Sequence, residues 1–488
     1  MRKAFSGQTR FDCQTIPEVK LNLKCRDEII PILRGLQHAY SQPQLRDEIL
    51  DLVGQDVNEH SRNDRGREGL DYWHITVLAA ARLGCNLDYD KLQDLAEQHR
   101  ALRQIMGIGD WQDDIDFNWR RIRDNISLLK PETTEAISHL LVAEGHRLQP
   151  DAAKKVRVDS FVVETNIHYP TESSLMVDGV RKIIGLCVDL ADDLGLPGWR
   201  QHEHLLKKVK QIARQIGGIG ARKGPNYMQR LKKPYRQLLK QTRRLLRRAA
   251  DLCEQALSQG ASDLNCAFRT ASIKHYVELT QQVSDTARRR VLEGETVPNE
   301  DKLFSIFEPH TQLYKRGKAG QPIQFGRLLL VYEDAAGFIV HQHVMDRDSQ
   351  DVDVPVEQTR ALQKRLQNTI EEISFDCGFH SPDNQTQLAE IVPQVCLPKK
   401  GHKQSADQKS SASEQFRQAR RRHAGVESAI GALQAGNGLE RCRDKTELGF
   451  ERYVALGVLG RNLQTLGKLL IAREDESCHA AFSKRSAA

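Results

Sequence analysis

Three carboxylates stand where they could hold divalent metal. Asp159 interrupts the apolar, β-branched run Val156-Arg157-Val158-Asp159-Ser160-Phe161-Val162-Val163, and Asp376 ends a second run, Ile373-Ser374-Phe375-Asp376. An ionised group in such a strand is costly unless it is paired or bound to a metal. Glu427 sits in a charged helical stretch, Arg420-Arg421-Arg422-His423-Ala424-Gly425-Val426-Glu427-Ser428. Hard Mg²⁺ ions need oxygen ligands on rigid elements, and phosphoryl transfer uses two of them about 3.5–4 Å apart around the scissile phosphate. Three carboxylates from distant parts of the chain can supply that chemistry, although with 65 Asp+Glu an acid near any chosen element is common. Glu164 has the opposite strand parity to Asp159 and should face the other side, a poorer ligand candidate. Arg420, His423 and Glu427 fall at i, i+3 and i+7, one face of a helix. There the Arg and His could contact a DNA phosphate, or simply form a solvated ion-pair face.

Positioning these groups takes a sheet and a late helix, and the patterning predicts both. Residues 1–25 read as an extended arm and 26–150 as helical, with Ile29, Ile30, Ile32, Leu33 and Leu36 at helical spacing. A helix over 69–83 stopped by Gly84, followed by one from about Asp88, is either a helix-turn-helix or an ordinary helical hairpin. Strands are predicted at 156–163, 324–333, 337–345, 373–376 and 394–397, with Asp334-Ala335-Ala336-Gly337 as a hairpin turn. Helices are expected at 173–300, 356–372, from Pro382, at 414–433 and at 447–472; residues 399–413 read as a basic loop and 473–488 as a flexible tail. With 173–300 set aside, the order of strands and helices is that of an RNase H-like domain: an α/β fold, a mixed sheet flanked by helices. The expected domains are an all-α amino-terminal domain (26–150), a catalytic domain (151–172 and 301–472), and a large helical insertion (173–300) after the first strand.

Composition bounds the rest. With 488 residues and 39% hydrophobic content the chain has room for two to four domains with real cores. Apolar runs such as Leu328-Leu329-Leu330-Val331 fall far short of the roughly 20 residues of a membrane span, and no apolar stretch follows Met1-Arg2-Lys3, so a soluble, cytoplasmic protein is expected. The ten cysteines include no Cys-x-x-Cys pair, which argues against a zinc ribbon and leaves ordinary thiols. The net charge of +7 is too mild to identify a partner, but its distribution is uneven. Residues 201–250 carry fifteen basic residues and one acid, Glu203, for a net +14, so the other 438 residues sum to −7. Such a segment, which includes Lys232, Lys233, Arg243, Arg244, Arg247 and Arg248, is the electrostatic footprint of phosphate binding. The leucines at 238, 239, 245 and 246 between these cations also suit a packed face or a coiled-coil arm.

Three local motifs carry a family resemblance. They are Asp159-Ser160-Phe161-Val162-Val163-Glu164-Thr165-Asn166-Ile167-His168-Tyr169-Pro170-Thr171, then Phe375-Asp376-Cys377-Gly378-Phe379-His380-Ser381-Pro382, then His423-Ala424-Gly425-Val426-Glu427-Ser428 with Gly438-Leu439 and Arg461-Asn462-Leu463. In these the chain resembles bacterial insertion-sequence transposases of the DDE class, over most of 60–470. The resemblance implies a metal-dependent recombinase in which Asp159, Asp376 and Glu427 are catalytic and bind two Mg²⁺, with Mn²⁺ a possible substitute. It further implies cleavage at the element's ends followed by attack of a 3′ hydroxyl on target DNA. The implied partners are double-stranded DNA (terminal inverted repeats, bound by the helical DNA-end-binding domain at 26–150, and target) and a second copy of the chain, as a homodimer or larger synaptic complex at the nucleoid, with no membrane. The family's Tyr-x-x-Arg-x-x-x-Glu-(x)6-Lys signature is only partly kept: aligned on Glu427, its Tyr, Arg and Lys positions hold Arg420, His423 and Gln434. A nuclease that cuts without joining would use the same carboxylates, and a transposase-derived DNA-binding protein without catalysis is the reading from a different class.

Overall fold

The amino-terminal part consists of α1 (Ile29–Ser41), α2 (Pro43–Glu59), α3 (Tyr72–Gly84), α4 (Tyr89–Gln98), α5 (Arg100–Ile105), α6 (Trp119–Ile126) and α7 (Pro131–Leu148). After β1 (Lys155–Thr165) come α8 (Glu172–Asp193), α9 (His202–Arg222), α10 (Tyr227–Gly260) and α11 (Leu264–Ala287), the last continued by a π-helical stretch, Arg288–Glu293. The remainder is β2 (Gln312–Tyr314), β3 (Gln324–Asp334), β4 (Ile339–Val344), α12 (Pro355–Arg365), β5 (Glu372–Phe375), α13 (Pro382–Ile391), β6 (Gln394–Cys396), α14 (Glu414–His423), α15 (Val426–Gly431), β7 (Arg441–Cys442) and α16 (Glu447–Ser486). This computed structural model describes residues 12–59, 69–109, 116–260, 264–315, 322–399 and 414–486. The basic loop expected at 399–413 lies, but for Lys399, outside the described residues. Contacts divide the chain into two units, residues 1–164 with 327–488, and residues 165–326.

The first unit is a mixed sheet flanked by helices. The strand order runs β3-β1-β5-β6, with β4 antiparallel to β3, β1 parallel to β5, β5 parallel to β6, and the two-residue β7 on β1. The expected hairpin turn is present: Gly337 takes a left-handed φ of 87° and Asp334 accepts hydrogen bonds from the backbone N–H of Ala336 and Phe338, both at 2.9 Å. α12 stops at Arg365, short of 372, because Gln367 and Asn368 take left-handed conformations.

The helices expected to form a separate amino-terminal domain instead share this unit with the sheet. α16 packs on α1, α3 and α7 and covers their apolar faces. At the α3–α16 crossing the two backbones touch: a Cβ on Gly460 would lie 2.6 Å from the Gly84 nitrogen. α3 is buried on all sides from Trp73 to Gly84, apart from His74, as expected of a helix that is apolar all round. Of the arm expected at 1–25, residues 1–11 lie outside the described residues, and in the rest Gln37 Nε2 donates to the carbonyls of Ile16 (3.1 Å) and Val19 (2.7 Å). The expected flexible tail is helical to Ser486, with Glu474 bound by Arg34 and Arg473 donating to the Leu148 carbonyl.

The second unit is the insertion, with limits at 165 and 326 rather than 173 and 300. α8, α9, α10 and α11 pack around one core that includes Met176, Val180, Ile183, Leu238, Ala249 and Ile273. β2 also belongs here, paired antiparallel with residues 324–326. No helix among the described residues is long and apolar enough to cross a membrane.

Candidate functional site

β1 and β5 run side by side and parallel, with Val156 opposite Ile373, Arg157 opposite Ser374 and Val158 opposite Phe375. Asp159 and Asp376 are the next residue on each. Adjacent strands lie about 4.8 Å apart and side chains alternate between faces, so the two carboxylates leave the same face as neighbours. Val156, Val158, Ile373 and Phe375 bury the opposite face. Around the carboxylates that face carries polar side chains, Arg157 and Asp159 on β1, Glu372 and Ser374 on β5 and Glu333 on β3, and it turns apolar further along β1 at Phe161 and Val163.

α14 lies over this face and is tied down by ions. Arg422 pairs with the buried Glu372, and Arg157 pairs with Glu333 while donating to the Arg422 carbonyl at 3.1 Å. Burial raises the Glu333 carboxyl above its usual range against the pull of Arg157 and Arg461. His423, the last residue of α14, places Nδ1 3.3 Å from Ser374 Oγ. Burial pushes the His423 imidazole below its ordinary pKa, opposed by the nearby Asp376 carboxylate and reinforced by Arg157 and Arg420. His423 thus stands near Asp376 in surroundings that favour its neutral form. Arg420 is exposed one turn earlier.

Glu427 is positioned differently from the sequence expectation. The single helix expected over 414–433 is interrupted at Ala424-Gly425, and a π-helical stretch, Ala432–Gly436, follows α15. The i, i+3, i+7 alignment of Arg420, His423 and Glu427 on one continuous helix therefore does not apply. The cause lies across the sheet: a Cβ on Gly425 would meet Arg157 Nη1 at 2.1 Å, so the guanidinium occupies that space. Glu427 is exposed in the first turn of α15. Among the described residues no group of three or more His, Cys, Asp or Glu is gathered as a metal site. Asp159 and Asp376 are hard oxygen donors of the type that Mg²⁺ or Mn²⁺ takes, while Glu427 lies exposed on a separate element and is not gathered with them.

Several residues around the site escaped sequence reasoning. Asp351 accepts a hydrogen bond from Ser160 Oγ at 2.6 Å and lies 3.4 Å from where a Cβ of Gly378 would be, so it ties β1 next to Asp159 to the turn just after Asp376. Its loop, Met345-Asp346-Arg347-Asp348-Ser349-Gln350-Asp351, has no periodicity or motif to mark it. Glu333 falls in a run read only as a strand, and Glu372 at the end of a stretch read as a helix. Glu164, the poorer ligand candidate, is paired with Arg441 of β7 at 2.9 Å. Asn462 of the third motif is structural: fully buried, it bonds both backbone groups of Ile339 and the Ser138 hydroxyl.

In the second unit, thirteen of the fifteen basic residues of 201–250 are exposed, and Lys232 and Arg248 are half-buried. None of the fifteen forms an ion pair among the described residues. Leu231, Leu238, Leu245 and Leu246 of α10 face the core, while Arg230, Lys233, Lys240, Arg243, Arg244 and Arg247 face water. At 1.5 Å per residue that stripe is about 25 Å long. Arg248 instead stacks on Trp199, 4.9 Å from the ring centroid. The helical hairpin at 72–98 offers no such surface, since α3 is buried and α4 exposes Asp90, Asp94 and a single Lys91.

Comparisons with family models, curated proteins and solved structures found no match.

Proposed function

We propose that the chain is a metal-dependent DNA strand-transfer enzyme, a DDE transposase with an RNase H-like catalytic unit. The observation that carries this reading is the neighbouring placement of Asp159, midway along β1, and Asp376, directly after the end of the parallel strand β5. Support also comes from the strand order β4-β3-β1-β5-β6, with the β3–β4 hairpin antiparallel and β1, β5 and β6 parallel, which suits an RNase H-like sheet. The unpaired basic helices of the insertion add a surface for DNA backbone.

In this reading Asp159 and Asp376 would hold the metal, with Glu427, from the helix that follows Gly425, as the third carboxylate. Two bound Mg²⁺, or Mn²⁺ in their place, would supply an activated water or 3′ hydroxyl and neutralise charge at the scissile phosphate. His423, near Asp376, offers a hydrogen bond to a phosphate oxygen or leaving group, and Arg420 offers charge. The basic stripe of α10 holds DNA backbone without reading sequence. Two element ends must be brought together for transfer, so the working form is at least a dimer.

The test is incubation of the full chain with DNA that flanks its coding region, cloned on a supercoiled plasmid, in Mg²⁺, Mn²⁺ or EDTA. Metal-dependent nicks that leave 3′ hydroxyls at the element's ends, followed by joined products, are expected. Nicks without joined products favour a nuclease, and DNA binding without any metal-dependent strand break removes the catalytic reading.

A further inference from the structure

The insertion contains a cavity of about 630 Å³ that the catalytic reading does not use. It is formed within the second unit, by the start of α8, the end of α9, the start of α10 and the residues around 290 and 303. Aromatic rings line it, Tyr169, Tyr227 and Phe304, and three cations converge on it, Lys223, Arg290 and Lys302. Against those cations stands one carboxylate, Glu172, which accepts from Arg290 Nη2 at 2.7 Å.

Each part has a physical signature of a ligand site. Tyr169 is 70% exposed although its ring is held against Phe325 at a centroid distance of 5.6 Å and 89°. An aromatic side chain fixed in place with so much surface open to water is a platform for stacking. Arg290 reaches the cavity from the π-helical stretch Arg288–Glu293, a rare conformation that occurs frequently at functional sites. Lys223 ends α9 in the left-handed conformation, φ 36°, which an ordinary residue adopts only at a cost. Gly217 and Gly220 form part of the wall, and a Cβ on either would meet nothing within 4 Å, so that wall is open space.

A cavity of this size accommodates one nucleotide-sized ligand. The lining fits an aromatic ring carrying negative charge. The surrounding surface favours a source for such a ligand: Lys223, at the cavity, follows the exposed basic residues of α9, and the exposed Arg230 begins those of α10, so the cavity adjoins the surface offered to DNA backbone. We infer that this cavity receives a single unstacked nucleotide of the bound DNA, its base against Tyr169 and Tyr227 and its phosphate at Lys223 and Lys302. The inference rests on the DNA-binding reading given above.

The experiment compares binding of the full chain, without metal, to a paired duplex of arbitrary sequence and to the same duplex with one extrahelical 2-aminopurine. The expected result is tighter binding of the extrahelical duplex by about tenfold, the scale of one base stacking on an aromatic ring, with quenched 2-aminopurine emission. Tyr169→Ala and Gly220→Leu should each abolish that preference while leaving paired-duplex binding unchanged. Gly220→Leu fills the cavity and improves helix propensity, so loss of folding does not explain its effect. Equal binding of the two duplexes by the wild-type chain overturns the inference and leaves the DNA reading standing. Binding of neither duplex overturns both. Competition by free 2-aminopurine mononucleotide as effective as that by the extrahelical duplex would show a free-nucleotide site instead, and would also overturn it.

Discussion

Asp159 and Asp376 follow directly on Val158 and Phe375, the last paired residues of β1 and β5, so two like charges occupy neighbouring positions on parallel strands. Like charges across adjacent strands repel, and the opposite face of these strands is apolar. A cation between them would relieve that repulsion, which links stability to metal. Millimolar Mg²⁺ or Mn²⁺ should raise the melting temperature of the wild-type chain, since a ligand that binds only the folded state stabilises it. Asp376→Asn should melt no lower than wild type without metal, and Asp159→Asn and Asp376→Asn should each lose the metal-induced rise. Metal-dependent DNA cleavage should fall by more than about a hundredfold in each, with DNA binding retained. A metal-induced shift that survives either substitution would remove that residue from the site.

How far the sequence reveals this site depends on how local its causes are. Asp159 and Asp376 are legible because an acid in a β-branched run stands out against its immediate neighbours. The break at Ala424-Gly425 is not, because its cause is Arg157, on a strand in a distant part of the chain. The same holds for the helices before β1: their helical spacing is plain, but their apolar faces are closed by α16, which local periodicity cannot pair with them. Asp351 carries no pattern at all and becomes meaningful only through its bond to Ser160.

The basic helices give a prediction about salt. Lys233, Lys240, Arg243, Arg244 and Arg247 are exposed on α10 and unpaired, so changing all five to Gln should leave the fold intact. DNA affinity should drop, and the slope of log affinity against log salt should fall by about 0.9 for each phosphate that the variant no longer neutralises. Arg248 is a poor member of such a set, because its guanidinium packs on Trp199 and its removal would disturb the bundle. An unchanged slope in the five-fold variant would make these helices a packing element alone.

Buried histidines set the acid limit of stability. Burial pushes His341 down to about 4, against a hydrogen bond to Gln358, and pushes His139 down to about 3, with Arg365 and His341 adding to the effect. Both rings are neutral in the folded chain, whereas the unfolded chain protonates them below about pH 6.5. The unfolded state therefore binds more protons, and stability should fall as pH drops from about 6.5 toward 4, by at most about 1.4 kcal/mol per pH unit for each ring. The partly solvated His139 contributes less than that ceiling. Denaturant melts at pH 7, 6 and 5 should show the loss, and His341→Gln, which keeps a partner for Gln358, should flatten it. An equal loss in the variant would assign the acid sensitivity to other groups.

Gly425 offers a test of how the sheet positions the helix that bears Glu427. A methyl at this position would overlap Arg157 Nη1, which sits 2.1 Å from where the Cβ would be. Overpacking of this kind costs about 1–3 kcal/mol, so Gly425→Ala should destabilise the chain by that order. Arg157→Ala should be destabilising in its own right, because it leaves the nearly buried Glu333 without its partner. If the clash is the cause, Gly425→Ala should cost almost nothing further once Arg157 is gone, giving a strongly non-additive double-mutant cycle. Strict additivity in denaturant melts would show that Gly425 is required for some other reason. The same cycle read as cleavage rate separates position from stability: under conditions where every variant is folded, Gly425→Ala should still slow cleavage by displacing α15 and with it Glu427.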